Sequence, residues 1–354
     1  MSICRRSLPF CFGLLFLLPA SPLLAQDAVK RSIDKITDNV YRASNNNTRT
    51  TFLVTNEGIV LADPMNRAFA EWFKAEAARQ FKVPVKYVVY THHHWDHASG
   101  GAVFADTAQF VGHANMPGAL VMPPANMRLA DVVGERSAIA ALDKSGDGFV
   151  DRSEAKDEIS DYEFSGFDAN KDGKLSGAEI ARGALSDVHP PTITYSDELN
   201  ITLGGKRTNI KWMGRMNHSN DMSLITFPDD SVLYGCDYVD IGRLPHREMD
   251  YENGMFAEWM AAVKKTEGIA ANFKLVTTCH GRLSGTAADL TAWREYIDAL
   301  RTKVAAGIAR GETLEQLKAT IKMEDYSKWV GYGWLAANVE GMYHFLTDKA
   351  PASK

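Results

Sequence analysis

The 354 residues carry 39 Lys plus Arg against 44 Asp plus Glu, a formal charge of −5, with 45% hydrophobic and 23% charged residues. That balance suits a globular chain with a large core, and nothing in it offers a basic nucleic-acid face. Four cysteines are too few for a disulfide framework.

In residues 1–25, Arg5 and Arg6 precede the apolar run LPFCFGLLFLLPA and the small-residue exit SPLLA. This is the pattern of a secretory signal peptide, too short to span a bilayer as a mature helix. It predicts a periplasmic or secreted protein. No cysteine follows the cleavage point, so no lipid anchor is expected after cleavage; the paired arginines leave a twin-arginine route open. Removing the two arginines takes the charge from −5 to −7, and Cys4 and Cys11 leave as well, so Cys236 and Cys279 remain. From residue 50, TTFLVTNEGIVLAD reads as a β-hairpin. RAFAEWFKAEAARQF sets Phe69, Trp72, Phe73 and Ala77 on one helical face. VKYVVYTH and AQFVGH read as strands. A segment near 130–185 breaks the rhythm: residues 143–179 hold 11 acids against 5 bases, and the stretch is strand-poor and internally repeated. Strands resume at TITY, LNITLGG, NIKWMG, MSLITF and SVLYG. The helix MFAEWMAAVKKTEG, the strand FKLVTTCH and C-terminal helices follow, with AADLTAWREYIDALRTKVAAGIARG the longest. The division is a signal over 1–25, one domain in two parts over 26–135 and 186–354, and an insertion over 136–185. GWLAANVEGMYHFL has an apolar face for packing or dimerisation, and the oligomeric state is open.

THHHWDHASG, Thr91 to Gly100, concentrates four histidines and an aspartate after a strand. Alternate side chains of an extended run share a side, so His92 and His94 reach one ion while Asp96 and His97 face a second position. Imidazole and carboxylate without thiolate suit catalytic zinc. Trp95 and the ASGG that follows are expected to let the chain turn tightly against the ions. His93 reads as a spacer.

VVYTHHHWDHASGG resembles the metal-binding signature of the metallo-β-lactamase superfamily, over roughly residues 35–130 and 190–350. The resemblance implies an α+β fold, a four-layer αββα sandwich with one or two metals at the edge of its sheets. It implies further ligands at His218 in NHSNDMSLITF, Asp237 in SVLYGCDYV and His280 in LVTTCHGR. One zinc then sits on His92, His94 and His218, the other on Asp96, His97 and His280, with Asp237 bridging. Asp63, ending IVLAD, matches the aspartate that holds a ligand histidine in its tautomer. His113, His189, His246 and His344 have no place in the pattern and read as structural or surface groups. Cys236, just before Asp237, is a departure that offers an alternative thiolate ligand; with Cys279 it is expected to form a pair of buried free thiols.

The insertion contains DKSGDGFVDRSE and DANKDGKLSGAE. Read as 12-residue calcium loops, Asp143, Ser145, Asp147, the Phe149 carbonyl, Asp151 and Glu154 are the first ligand set. Asp168, Asn170, Asp172, the Lys174 carbonyl, Ser176 and Glu179 are the second, with Gly148 and Gly173 at the turns. Val150 and Leu175 stand where paired EF-hands join by a β-bridge. Only 13 residues separate the loops, which leaves room for abbreviated helices alone. The expectation is a small helical EF-hand pair binding two Ca²⁺, a staple rather than a switch, forming a lid or wall of the active-site groove.

The chemistry implied is hydrolysis by a metal-bound hydroxide, with Asp96 helping to orient the nucleophile. The leading reading is an exported binuclear zinc hydrolase for a small ester, thioester, lactone or amide. A β-lactamase is the alternative in the same chemistry; the carboxylate at Asp237 is more like the glyoxalase II and lactonase branches. Phosphodiesterase and sulfatase branches stay open. An iron-dependent redox enzyme and a calcium-dependent binding protein are the other classes weighed. The expected partner is a small-molecule substrate, with no nucleic acid.

Overall fold

The computed structural model describes residues 29–251 and 254–347. The stretch 1–25, expected from the sequence to be an export signal, lies outside them, and the described fold begins in a seven-stranded sheet ordered β1-β2-β3-β4-β5-β6-β9. Its strands are β1 (Arg31–Lys35), β2 (Val40–Asn45), β3 (Thr48–Thr55), β4 (Gly58–Ala62), β5 (Val85–Val89), β6 (Gln109–His113) and β9 (Ile193–Tyr195). β1 to β4 run antiparallel through tight turns, and β4, β5, β6 and β9 pair in parallel. A second sheet, β10 (Glu198–Leu203), β11 (Lys206–Trp212), β12 (Ser223–Phe227), β13 (Val232–Gly235) and β14 (Leu275–Thr278), is antiparallel until the last pair.

Period-2 alternation explains the layers. In β4, Ile59 and Leu61 face helix α1 (Arg67–Phe81), while Val60 turns to the space between the sheets. In β13, Leu233 faces outward to helices α8 (Phe256–Ala270) and α9 (Ala287–Ala309), while Val232 and Tyr234 face inward. Both faces of β4 and β13 are therefore apolar, as strands covered on both sides require. The layer order is helix, sheet, sheet, helix, the αββα sandwich expected.

α1 starts where the Asn66 side chain accepts from Phe69 N at 2.9 Å and buries Phe69, Phe73 and Ala77. α9 buries Leu290, Trp293, Tyr296, Ile297, Leu300 and Val304, a stripe at helical spacing. Short helices α2 (Trp95–Ala98) and α3 (Met116–Ala119) flank β6, and α10 (Leu314–Thr320) and α11 (Leu335–Thr347) close the chain. Among the described residues no helix is long and apolar enough to cross a membrane.

Residues 137–182 form a separate cluster of four short helices, α4 (Ser137–Ala140), α5 (Arg152–Ala155), α6 (Asp161–Phe167) and α7 (Gly177–Arg182). Two-residue strands β7 (Val150–Asp151) and β8 (Lys174–Leu175) pair antiparallel, with Val150 opposite Leu175. A small core of Val150, Phe164, Phe167, Leu175 and Ile180 lies beneath them.

Candidate metal centre

Strand ends deliver the histidines and carboxylates to one edge of the sandwich. β5 leads through Tyr90 and Thr91 to His92; β13 ends at Gly235, two residues before Asp237; β14 ends at Thr278, two before His280; His218 lies in the loop before β12. His92, His94 and His218 offer ring nitrogens within 4.8 Å of one another, and so do the ligand atoms of Asp96, His97, Asp237 and His280. These are the seven residues singled out in the sequence. Asp237 stands between the two groups. Its Oδ2 is 2.9 Å from His97 Nε2, 3.4 Å from His218 Nε2 and 3.5 Å from His92 Nε2, and its Oδ1 is 3.4 Å from His280 Nε2. Asp96 Oδ2 is 3.3 Å from His97 Nε2.

The donor set fits divalent cations. His92 Nε2 and His218 Nε2 face each other at 3.2 Å, while the other nitrogen of each ring is engaged elsewhere, with Thr91 Oγ1 at 3.0 Å and Asp250 Oδ2 at 2.8 Å. Two lone pairs meeting in this way repel unless a cation or a proton lies between them. Burial, reinforced by neighbouring histidines, holds His92 and His94 well below the usual histidine range, which keeps them neutral and ready to ligate. Burial opposes charge on His97 and His218 too, but carboxylates outweigh it there. Asp96 and Asp237 hold His97 well above its usual range, and Asp250 and Asp237 bring His218 to about 10. Burial likewise opposes ionisation of Asp237, and His97 and His218 reverse it. In the protein alone, protons on these rings take the place of positive charge.

Orientation comes from two carboxylates behind the ligands, Asp63, which the sequence pattern marks, and Asp250, which it does not. Asp63, fully buried, accepts from Thr91 N and Thr91 Oγ1 at 2.8 Å each and from Tyr234 OH at 3.2 Å. Burial pushes its carboxyl up to about 6 against the pull of His97 and these hydrogen bonds. Its hold on a ligand histidine is thus relayed through the Thr91 hydroxyl to His92, not direct. Asp250 plays the corresponding part for His218, 32 residues away in sequence. The backbone here is left-handed at Arg247, Met249 and Asp250, with φ of 41°, 61° and 51°. It is pinned by Asn217 Nδ2 on Met249 O at 2.6 Å and by buried Asn338 of α11, whose Nδ2 reaches Pro245 O and Arg247 O at 2.9 and 2.5 Å. Tyr296 of α9 donates to Asn338 Oδ1 at 2.7 Å. Gly341 of α11 packs on the Glu248 carbonyl where any Cβ would collide.

Gly100, left-handed at φ 82°, packs on the backbone of Asn66 and Arg67, where a Cβ would come within 2.5 Å. Trp95 turns toward Tyr162 of the inserted helices, ring centroids 5.6 Å apart. His93 stays outside both groups, its Nδ1 2.9 Å from the buried Asp221. His113 stacks on Trp212, His189 on Phe110 and His344 on Tyr251. His246 packs edge-on to Trp334 but also lines the central cavity. Cys236 and Cys279 are free and buried. Cys236 Sγ lies 3.3 Å from His97 Nδ1 and Cys279 Sγ 3.2 Å from Asp237 Oδ1, so the two thiols sit behind the centre and within reach of His97 and Asp237.

A cavity of about 440 Å³ opens over Asp237, His218 and His280, bordered by Trp95, Arg243 and Arg247. A second, of about 400 Å³, runs on beneath the inserted helices and shares His94, Trp95, Asp96, Glu163 and Arg247 with the first. Glu163 lies on α6, so the insertion contributes to the wall of the groove.

Within the insertion, Glu154 Oε1 accepts from Lys144 N and Ser145 N at 2.9 Å, and Asp143 accepts from Gly146 N and Gly148 N at 2.7 and 3.0 Å. The second loop repeats this: Glu179 Oε1 accepts from Ala169 N, and Asp168 from Asp172 N and Gly173 N. Lys174 Nζ reaches across to Asp147 Oδ2 at 2.7 Å.

Residues 49–305 match the family described as the metallo-beta-lactamase superfamily. A comparison with curated proteins finds no match. Among solved structures, a metallo-beta-lactamase from Pontibacter korlensis aligns over 75% of this chain and 99% of its own at 17% identity, TM-score 0.48. A stereoselective inverting sec-alkylsulfatase from a Pseudomonas species aligns over 91% and 51% at 14% identity, TM-score 0.59. A double mutant of the sec-alkyl sulfatase PisA1 aligns over 90% and 50% at 16% identity, TM-score 0.59. The chain thus spans about half the length of those two sulfatase chains, and at such identity the likeness speaks to the fold. With the family match covering well over half of its residues, the chain belongs to the metallo-beta-lactamase superfamily.

Proposed function

We propose that the protein is an exported binuclear zinc hydrolase acting on a small ester, thioester, lactone or amide. The observation that carries this reading is the convergence of His92, His94 and His218 on one side of Asp237, and of Asp96, His97 and His280 on the other, in one open groove. His92, His94 and His218 would hold the first zinc and Asp96, His97 and His280 the second, with Asp237 shared. Zinc so held supplies a Lewis acid and an activated water near neutral pH.

The chain's own groups do the rest. The Asp63–Thr91 relay and Asp250 fix the imidazoles of His92 and His218. Asp96, with its side chain 43% exposed, is the carboxylate of the set most open to the groove and is placed to orient a water and take its proton at Oδ2. Trp95, Glu163 and Arg247 border the part of the groove that runs on beneath the insertion, and Arg243 lines the part over the ligands. The two loops of the insertion would each hold a calcium ion, as an EF-hand pair that keeps this wall in place. The repeated carboxylate-to-amide pattern and the Val150–Leu175 bridge support that assignment.

The test is elemental analysis of the purified protein beside a His94→Ala, His218→Ala variant, followed by a screen of lactones, thioesters, esters including sulfate esters, and β-lactams. Two zinc ions lost in the variant, with hydrolysis of one of the acyl compounds, is the expected result. Iron in place of zinc, or a loaded centre that hydrolyses nothing in the panel, overturns it.

A further inference from the structure

Two arginines lie on a buried sheet face with too few partners. Arg42 on β2 and Arg49 on β3 are 8% and 9% exposed. The register sets Arg42 opposite Thr51 and Ser44 opposite Arg49, so the two arginines share a face as diagonal neighbours. Arg42 Nη1 donates to Leu283 O at 2.8 Å and Ser284 Oγ at 3.3 Å, and its Nη2 is 3.6 Å from Asp34. Its Nε is buried with no partner. Arg49 makes no ion pair among the described residues, and its Nη1 is likewise buried and unpartnered. Asp240, the buried carboxylate on this side, has its Oδ2 committed to Arg243 Nη1 at 2.6 Å, while its Oδ1 is buried without a partner.

Guanidinium keeps its proton in proteins, so Arg42, Arg49 and Arg243 bring three positive charges to this side against two carboxylates, Asp34 and Asp240, and one charge is left over. An uncompensated buried charge is strongly destabilising, and ordered water would satisfy the N–H groups while leaving the charge unbalanced. We propose that Arg42 and Arg49 form a buried site for a small monoanion of chloride size. Arg42 Nε and the Arg49 fork supply the donors. Because Arg42 Nη1 is already taken by Leu283, the set suits a single small ion better than a tetrahedral oxyanion. The place is informative: Arg49 N donates to Cys279 O at 2.9 Å and Arg42 to Leu283 O, on either side of His280. The anion therefore lies behind the loop that presents His280, and the site exists whether or not the centre hydrolyses an ester.

The experiment is thermal unfolding of the metal-loaded full chain as gluconate is replaced by chloride at constant ionic strength. The wild-type midpoint should rise by roughly 5 °C to saturation. Arg49→Met should abolish the dependence and melt higher than wild type without chloride. A wild-type midpoint indifferent to chloride, or a variant that keeps the response, overturns the proposal, and stabilisation by sulfate but not chloride overturns the monoanion assignment. If Arg49→Met does not fold, wild-type crystals grown in bromide decide: an anomalous peak at Arg42 Nε and Arg49 Nη1 supports the site, and its absence overturns it.

Discussion

Asp250 Oδ2 lies 2.8 Å from His218 Nδ1, at the end of a loop whose backbone is left-handed at three non-glycine positions. Holding such a conformation costs energy at each residue, and it persists because two C-terminal helices clamp the loop. The reward is an imidazole with Nε2 aimed at the centre.

Asp250→Ala therefore frees the His218 ring. Zinc affinity should fall about 10- to 100-fold, read by competition with a chromophoric chelator, while the fold is retained by circular dichroism. Unchanged affinity would show that the contact does not position the ligand.

Loading the metal-free protein at pH 7 should release about two protons, from His97 and His218, because both must be neutral to ligate. Calorimetry in buffers of different ionisation enthalpy counts them. The same shift fixes a stability trend. With His218 raised from 6.5 to about 10, its contribution is fully present below pH 6.5 and is lost as pH rises toward 10. Denaturant unfolding of the metal-free protein should show a decline over that window, and the zinc-loaded protein should not show it from this group.

Gly341→Ala places a methyl against the Glu248 carbonyl. Overpacking of this kind costs about 1–3 kcal/mol, and here it also pushes on the loop that carries Asp250, so kcat/KM should drop with stability. At Gly333 an added Cβ meets nothing within 4 Å, and Gly333→Ala is the control, with neither quantity changed.

Glu154→Gln and Glu179→Gln each remove the carboxylate that closes one loop of the insertion. Each should abolish one of two calcium equivalents in a direct titration, and the double variant should lose all calcium-dependent rise in thermal midpoint. Chelating calcium should then lower kcat/KM in wild type and leave the double variant unmoved. Full calcium binding by the double variant would remove the EF-hand assignment.

Much of this protein is legible in its sequence because the informative patterns are local. Strand alternation gives Ile59 and Leu61 to one layer and Val60 to another, and the spacing from His92 to His97 places ligand-type side chains on a single turn. The insertion shows itself through charge and repetition over residues 143–179. Tertiary structure alone decided what those residues touch. Nothing near Asp250 marks it as the partner of His218, since their 2.8 Å contact depends on where Asn338 and Gly341 of a distant helix hold a strained loop. The sequence pattern ties Asp63 to a ligand histidine, and the fold makes that tie indirect, because the Thr91 hydroxyl stands between Asp63 and His92. Trp95 borders the cavity over the ligands and also meets Tyr162 of the inserted helices, and Gly100 packs on the start of α1, contacts that no local pattern encodes. Periodicity and spacing record what a segment can present; which group receives it is set by packing between segments far apart in the chain.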